Sequence, residues 1–267
     1  MLDIIRGQIR IFLRARTLHL CNLSLAAVFF LLMFLDSGGT GELRKPVTDY
    51  IAGSLPVFAG FASISAGLTV GMVSGADFTD KTINHELTSG RSRAVSFFGR
   101  AIPALIGAPL TALAVTALPF LLYGILFGFG DVVPVSEVVR RLLLMLFPNI
   151  RMTAFCLMTV FILKNPTASI SFSTLVMPAF ALAQVADTSV PMIGKLASHP
   201  FLLAPSGLSR LGKFDSWYTY DLSLNQYFTY DPALPASTVC PIIVCAVIMT
   251  AVYLLIGYHF FHVDDMA

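Results

Sequence analysis

Two short strings in this chain carry residue types that could do chemistry. The first, His85-Glu86-Leu-Thr-Ser89, begins as the zinc-hydrolase pattern H-E-x-x-H begins. In that pattern two histidines four apart share one helix face and hold the metal, while the glutamate acts as base. Ser89 stands where the second histidine is needed. The ligand pair is incomplete, and no metal site is expected.

The second string is Pro148-Asn149-Ile-Arg151, inside a strongly apolar stretch. Arg151 lies about nine residues in from one end of that stretch, near mid-depth of a membrane at about 1.5 Å of rise per residue. Holding an arginine there costs at least ~2.5–3.5 kcal/mol on insertion scales, so it should face a partner or an aqueous path. A substrate path touched by Asn149 and Arg151 is one reading. Two others are a cation satisfied by carbonyls freed at Pro148, and a span shifted so that Arg151 reaches the surface.

Other catalytic patterns are missing from the sequence. There is no phosphate-binding G-x-x-x-x-G-K-[ST] loop and no G-x-S-x-G nucleophile turn. Asp36, Asp187, Asp264 and Asp265 all fall at the ends of apolar stretches, which leaves no intramembrane carboxylate pair for proton abstraction. Cys21, Cys156, Cys240 and Cys245 sit inside apolar segments without C-x-x-C spacing and read as small buried hydrophobes. No enzymatic activity and no bound cofactor are expected of this chain.

The elements that must position these residues follow from composition. Of 267 residues 56% are hydrophobic and 12% charged, with mean hydropathy +0.80. Soluble domains carry roughly 25% charged residues, so the chain reads as an all-α, polytopic membrane protein forming one domain over residues 1–267. A net charge of +2 gives nucleic-acid binding no electrostatic basis. Six apolar stretches have span length: Leu18–Leu35, Ile51–Ser74, Ala101–Phe129, Leu142–Leu163, Ala168–Ala186 and Thr238–Phe261. The third carries Pro103, Pro109 and Pro119 and is expected to be tilted or broken, with part of it at the membrane surface.

An even number of spans places both termini on one side. Arg6, Arg10, Arg14, Arg16, Lys81, Arg91, Arg93, Arg100 and Lys164 lie on that side, mostly in short segments. Arg44, Lys45, Arg140, Arg141, Lys195, Arg210 and Lys213 lie opposite, in longer loops. The positive-inside rule therefore makes the termini cytoplasmic. Residues 1–17 form a basic amphipathic helix, with Leu2, Ile5, Ile9, Phe12 and Leu13 on one side and Asp3, Arg6, Arg10 and Arg14 beside them. The second span carries small residues at every fourth position, Ala59, Ser63, Gly67, Gly71 and Gly75, a ridge for close helix packing, expected within the chain, with packing against another copy as the alternative. The proline- and tyrosine-rich loop 187–237 reads as short re-entrant or interfacial helices.

The most polar part of the chain, Asp77 to Arg93, falls between spans two and three and must project into water. Asp80 is expected as N-cap, Lys81–Ser89 as helix, and Gly90 as the left-handed residue that ends it. Ser92, Arg93 and Arg100 would tie its exit to the headgroup region. A rigid polar helix between two spans is a handle for another protein.

These features together resemble the permease subunits of type-2 ABC exporters. The string Lys81-Thr-Ile-Asn-His-Glu-Leu-Thr-Ser-Gly90-Arg-Ser-Arg93 is similar to a pattern G-T-I-x-N-E-L-x-x-G-x-S-R in bacterial permeases of the lantibiotic-immunity and bacitracin-resistance kind. It departs at Lys81, where glycine is common, and at His85. The resemblance implies residues 76–93 as a cytoplasmic coupling segment, with Asp80, Lys81, Ile83, Asn84, Glu86, Leu87, Gly90 and Arg93 meeting a separate ATP-binding subunit. It further implies a second permease subunit, ATP and Mg held by the partner, a bacterial cell-membrane location, and export of a peptide, lipid-like or drug-like cargo. A secondary transporter or channel, and a non-transporting sensor or assembly factor, are the rival readings.

Overall fold

The computed structural model describes residues 1–36, 47–129, 135–172, 175, 218–221, 226–229 and 236–263. Helices dominate. In chain order they are α1 (Leu2–Arg14), α2 (Arg16–Asp36), α3 (Val47–Val73), α4 (Ala76–Thr79), α5 (Thr82–Thr88), α6 (Arg93–Phe127), α7 (Val135–Leu144), α8 (Leu146–Leu163) and α9 (Ala236–Val263). Five stretches among the described residues are long and apolar enough to cross a membrane: Arg16–Leu35, Gly60–Thr79, Arg93–Phe127, Val135–Leu163 and Val239–Val263. This is a multi-pass membrane protein. Of the expected span Ala168–Ala186, residues 168–172 and 175 are described, as helix, and the rest lies outside the described residues.

One expectation is narrowed and one is corrected. The prolines do not break α6, which runs for 35 residues through Pro103, Pro109 and Pro119. Packing against α2, α3 and α8 supports it along its length. At about 1.5 Å per residue it is about 52 Å long, so its ends project beyond a hydrocarbon layer of about 30 Å. Within the loop 187–237, residues Tyr218–Asp221 (β1) and Gln226–Thr229 (β2) pair antiparallel as a hairpin rather than forming interfacial helix. Alternation of Tyr, Thr and Phe suits a strand pair better than a helix. The rest of that loop lies outside the described residues.

Helix α8 is the hub, packed against α9, α6 and α3. Two apolar clusters mark the two ends of the bundle. At one end Phe29, Met33, Phe120, Tyr123, Val138, Met145 and Ile242 meet. At the other, Ile83, Phe97, Phe161 and Phe261 meet, with the Phe97 and Phe161 ring centroids 4.5 Å apart. Helix α1, the 76–93 segment, the start of α6 and the ends of α8 and α9 all gather at this second end. α9 therefore starts at the opposite end from the one where α8 stops.

The small-residue ridge is legible in the packing. Ser63, Gly67, Gly71 and Gly75 are buried, and a Cβ at Gly71 would run into Ile170 while one at Gly75 would meet Pro166. α3 thus closes on the 166–172 stretch of its own chain. The side chain of Ala59 lies outside the described ones.

Candidate functional site

The 76–93 segment is built as two helical turns, α4 and α5, joined by a tight corner. Asp80 does not cap α5 as expected. It ends α4, its N–H bonding the carbonyl of Ala76, and Lys81 fills the corner at φ +54°. A left-handed backbone is unfavourable for a residue with a Cβ. That is the position where the resembling permeases commonly carry glycine. At the other end Gly90, at φ +86°, lets the N–H groups of Gly90 and Arg91 return to the carbonyls of Leu87 and Glu86. Ser92 then caps α6 by accepting from the N–H of Val95 at 3.4 Å.

The inner face of α5 is anchored twice. Ile83 is buried among Phe97 and Phe161, with Leu87 and Phe78 packed beside it. Burying such a side chain is worth on the order of 1.5–3 kcal/mol. The second anchor is ionic. Arg100, with a side chain 1% exposed, donates from Nε to Asp77 Oδ2 at 2.5 Å and from Nη1 to Glu86 Oε2 at 2.9 Å. Its Nη2 reaches Glu86 Oε1 at 3.2 Å, so the carboxylate is gripped by both terminal nitrogens. Ser96 Oγ donates to Glu86 Oε2 at 2.8 Å, and Gln8 Nε2 of α1 donates to Asp77 Oδ2 at 2.6 Å.

Partial burial of Glu86 opposes its ionisation, but the hydrogen bonds and charge of Arg100 outweigh this and hold the carboxyl below its ordinary range. One cation thereby ties α1, α4, α5 and α6 together. Arg100 is consequently no headgroup anchor; it is the buried centre of a closed network. The Arg93 guanidinium instead meets the carbonyls of Phe261 and His262, capping the end of α9.

The outer face of the segment is left to solvent. Asp80, Lys81, Thr82, His85, Thr88, Ser89, Gly90 and Arg91 are exposed, and Asn84 is half-buried. Among the eight residues expected to meet a partner, Asp80, Lys81 and Gly90 lie on this face, while Ile83, Glu86 and Leu87 point back into the bundle. His85 and Glu86 therefore face different ways, and among the described residues no three His, Cys, Asp or Glu side chains converge as metal ligands would.

The mid-span string occupies the hub. Asn149 and Arg151 are both buried in α8. Neither amide atom of Asn149 has a hydrogen-bond partner among the described residues. Thr153, one turn on, is satisfied by the Asn149 carbonyl at 2.8 Å. Opposite-side residues Arg140 and Arg141 lie on α7, where Arg141 pairs with a buried Glu137 at 2.9 Å.

Sequence spacing did not single out Gln8, Asp77, Ser96 or Glu137 as partners of charged groups. A signal for Gln8 exists: it is the one amide on the α1 face shared by Ile4, Ile5 and Phe12. No known family model matches the chain, and no curated protein matches it either.

Proposed function

We propose that the chain is the membrane-spanning permease subunit of an ATP-driven exporter, with its 76–93 segment as the coupling element. The observation that carries this reading is the two-faced build of α5. Its inner face is locked onto α6 by Ile83 and by the Glu86–Arg100–Asp77 network, and its outer face is a free polar surface. A segment meant to pass force from a docked subunit to a span needs that combination. The Lys81–Arg93 string adds the resemblance to type-2 ABC permeases. In this reading the segment and both termini are cytoplasmic. ATP and Mg are held by a separate ATP-binding subunit, a second permease subunit completes the path, and this chain performs no chemistry itself.

Six crossings are part of the proposal. α8 stops at the α1 end of the bundle and α9 starts at the other, which supports a further crossing between them. A secondary transporter is the rival that a specific observation favours, because Asn149 and Arg151 place polar groups inside the hub helix. Purification from native membranes in mild detergent separates the two. A soluble ATPase is expected to accompany the wild type and to be lost from an Asp80→Lys, His85→Glu variant that unfolds at an unchanged temperature. Absence of any associated ATPase would overturn the exporter reading.

A further inference from the structure

A groove of about 280 Å³ runs between α1, α3 and α6. Its walls are apolar, with Ile9, Phe12 and Leu13 from α1, Val73 from α3, and Ile106 and Leu110 from α6. Ile4 sits against Gly99 and Phe12 against Gly107, eight residues on in both helices, so α1 runs beside α6 in the same direction. The Arg14 end of α1 is therefore level with Leu110, and it lies two residues before the candidate span Arg16–Leu35. Arginines at the mouth of a span sit at headgroup depth. This end of the groove opens at the membrane surface.

Charge is laid out along the groove's edge. At about 100° per residue, Leu2, Ile9 and Leu13 form one exposed stripe of α1 and Arg6, Arg10 and Arg14 form the next. Arg6 falls only about 20° round from Leu13, so the arginine row borders the groove instead of standing across the helix from it. Asp3, the one acidic residue of α1, stands a turn before Arg6. Arg10 and Arg14 are left as an uncompensated pair one turn apart, exposed and without a hydrogen-bond or ion-pair partner among the described residues.

One ligand has to answer both features, with hydrocarbon for the groove and an anion within reach of the pair. A neutral lipid leaves the arginines unused, and an acidic peptide or free phosphate leaves the apolar walls unfilled. Helix side chains lean toward the N-terminus, so both guanidinium groups reach away from the span. A chain running from them past Ile9, Leu13, Ile106 and Leu110 heads into the hydrocarbon layer. We propose that the groove holds an acyl chain of an anionic phospholipid, whose phosphate is gripped between Arg10 and Arg14. Planar guanidinium groups match phosphate oxygens in pairs. The site stands independently of the exporter reading.

The test uses the full chain in a neutral detergent with phosphatidylglycerol carrying a diazirine in one acyl chain. Saturable labelling of α1 and of residues 102–110 is expected. Unlabelled phosphatidylglycerol should compete about tenfold better than phosphatidylcholine with the same chains, a difference of about 1.4 kcal/mol. Phosphatidic acid should compete as phosphatidylglycerol does, and glycerol phosphate, an anion without a chain, should not compete. In an Arg10→Gln, Arg14→Gln variant that unfolds at an unchanged temperature, phosphatidylglycerol should fall to the level of phosphatidylcholine. Arg91→Gln, which removes an exposed cation of the 76–93 segment, should keep the tenfold preference. Equal competition by the two phospholipids, a preference that survives loss of both arginines or vanishes in Arg91→Gln, displacement by glycerol phosphate, or labelling elsewhere would each overturn the proposal. If the double variant does not fold, the wild-type ratio and the labelled positions decide alone.

Discussion

Two polar sites sit in apolar surroundings in this protein, and they are built in opposite ways. Around Arg100 the guanidinium and both carboxylates are matched: seven hydrogen bonds join Gln8, Asp77, Glu86, Ser96 and Arg100, with Gln8 Oε1 alone left without a partner among the described residues. Around Asn149, in the hub helix, the side-chain amide is buried and unmatched among the described residues. A closed network fixes geometry, because any displacement breaks several charge-assisted bonds together. An unmatched amide does the reverse, raising the energy of the arrangement that buries it. The first holds its surroundings in place, and the second strains them.

The comparison breaks most sharply at its centre. Arg100→Met should strand two carboxylates and cost about 3–5 kcal/mol, the range for removing one partner of a buried ion pair. Thermal unfolding in detergent should show a large drop, and a shift within error would mean the network is ornamental.

Glu86→Gln is expected to cost less, about 1.5–3 kcal/mol for weakened hydrogen bonds to a charged group. It carries a pH signature as well. Glu86 is held below its ordinary value, so its contribution is complete above that value, near 4.5, and is lost as pH falls through the lower folded value. Wild type should lose stability relative to Glu86→Gln on acidification through that window, and parallel pH curves would contradict the assignment.

At the other site the sign reverses. Asn149→Leu removes an unmatched amide and should stabilise by about 1 kcal/mol, since replacing an unsatisfied buried group by an apolar one recovers its desolvation penalty. Destabilisation of similar size would show that the amide is matched after all. The smallest effect belongs to the corner of the segment. Lys81→Gly relieves a left-handed backbone costing roughly 1–2 kcal/mol, offset in part by the added freedom of glycine in the unfolded chain. A net gain of a few tenths of a kcal/mol is expected from chemical denaturation, and a loss would argue against the +54° corner.

The span pattern was legible because hydropathy needs only composition over a window. Leu18–Leu35 and Thr238–Phe261 fall inside the observed α2 and α9. The end of α5 was legible too, since Gly90 is a local signal. What could not be read is contact across the fold. Glu86 and Asp77 lie 14 and 23 residues before Arg100, and Gln8 lies 69 residues before Asp77. No periodicity links such positions; packing of α1 on α6 does, with Ile4 set against Gly99. The same gap explains why Glu86 looks like an exposed docking residue in sequence while it anchors the segment in the fold.

The most direct test of the central claim is site-specific photo-crosslinking in native membranes, with a photoreactive residue at Thr82 or His85 on the exposed face of α5. Phe98, exposed on α6, serves as control. The account predicts one ATP-binding protein cross-linked from Thr82 and His85 and none from Phe98. Lipid adducts alone, or equal capture from all three positions, would contradict it.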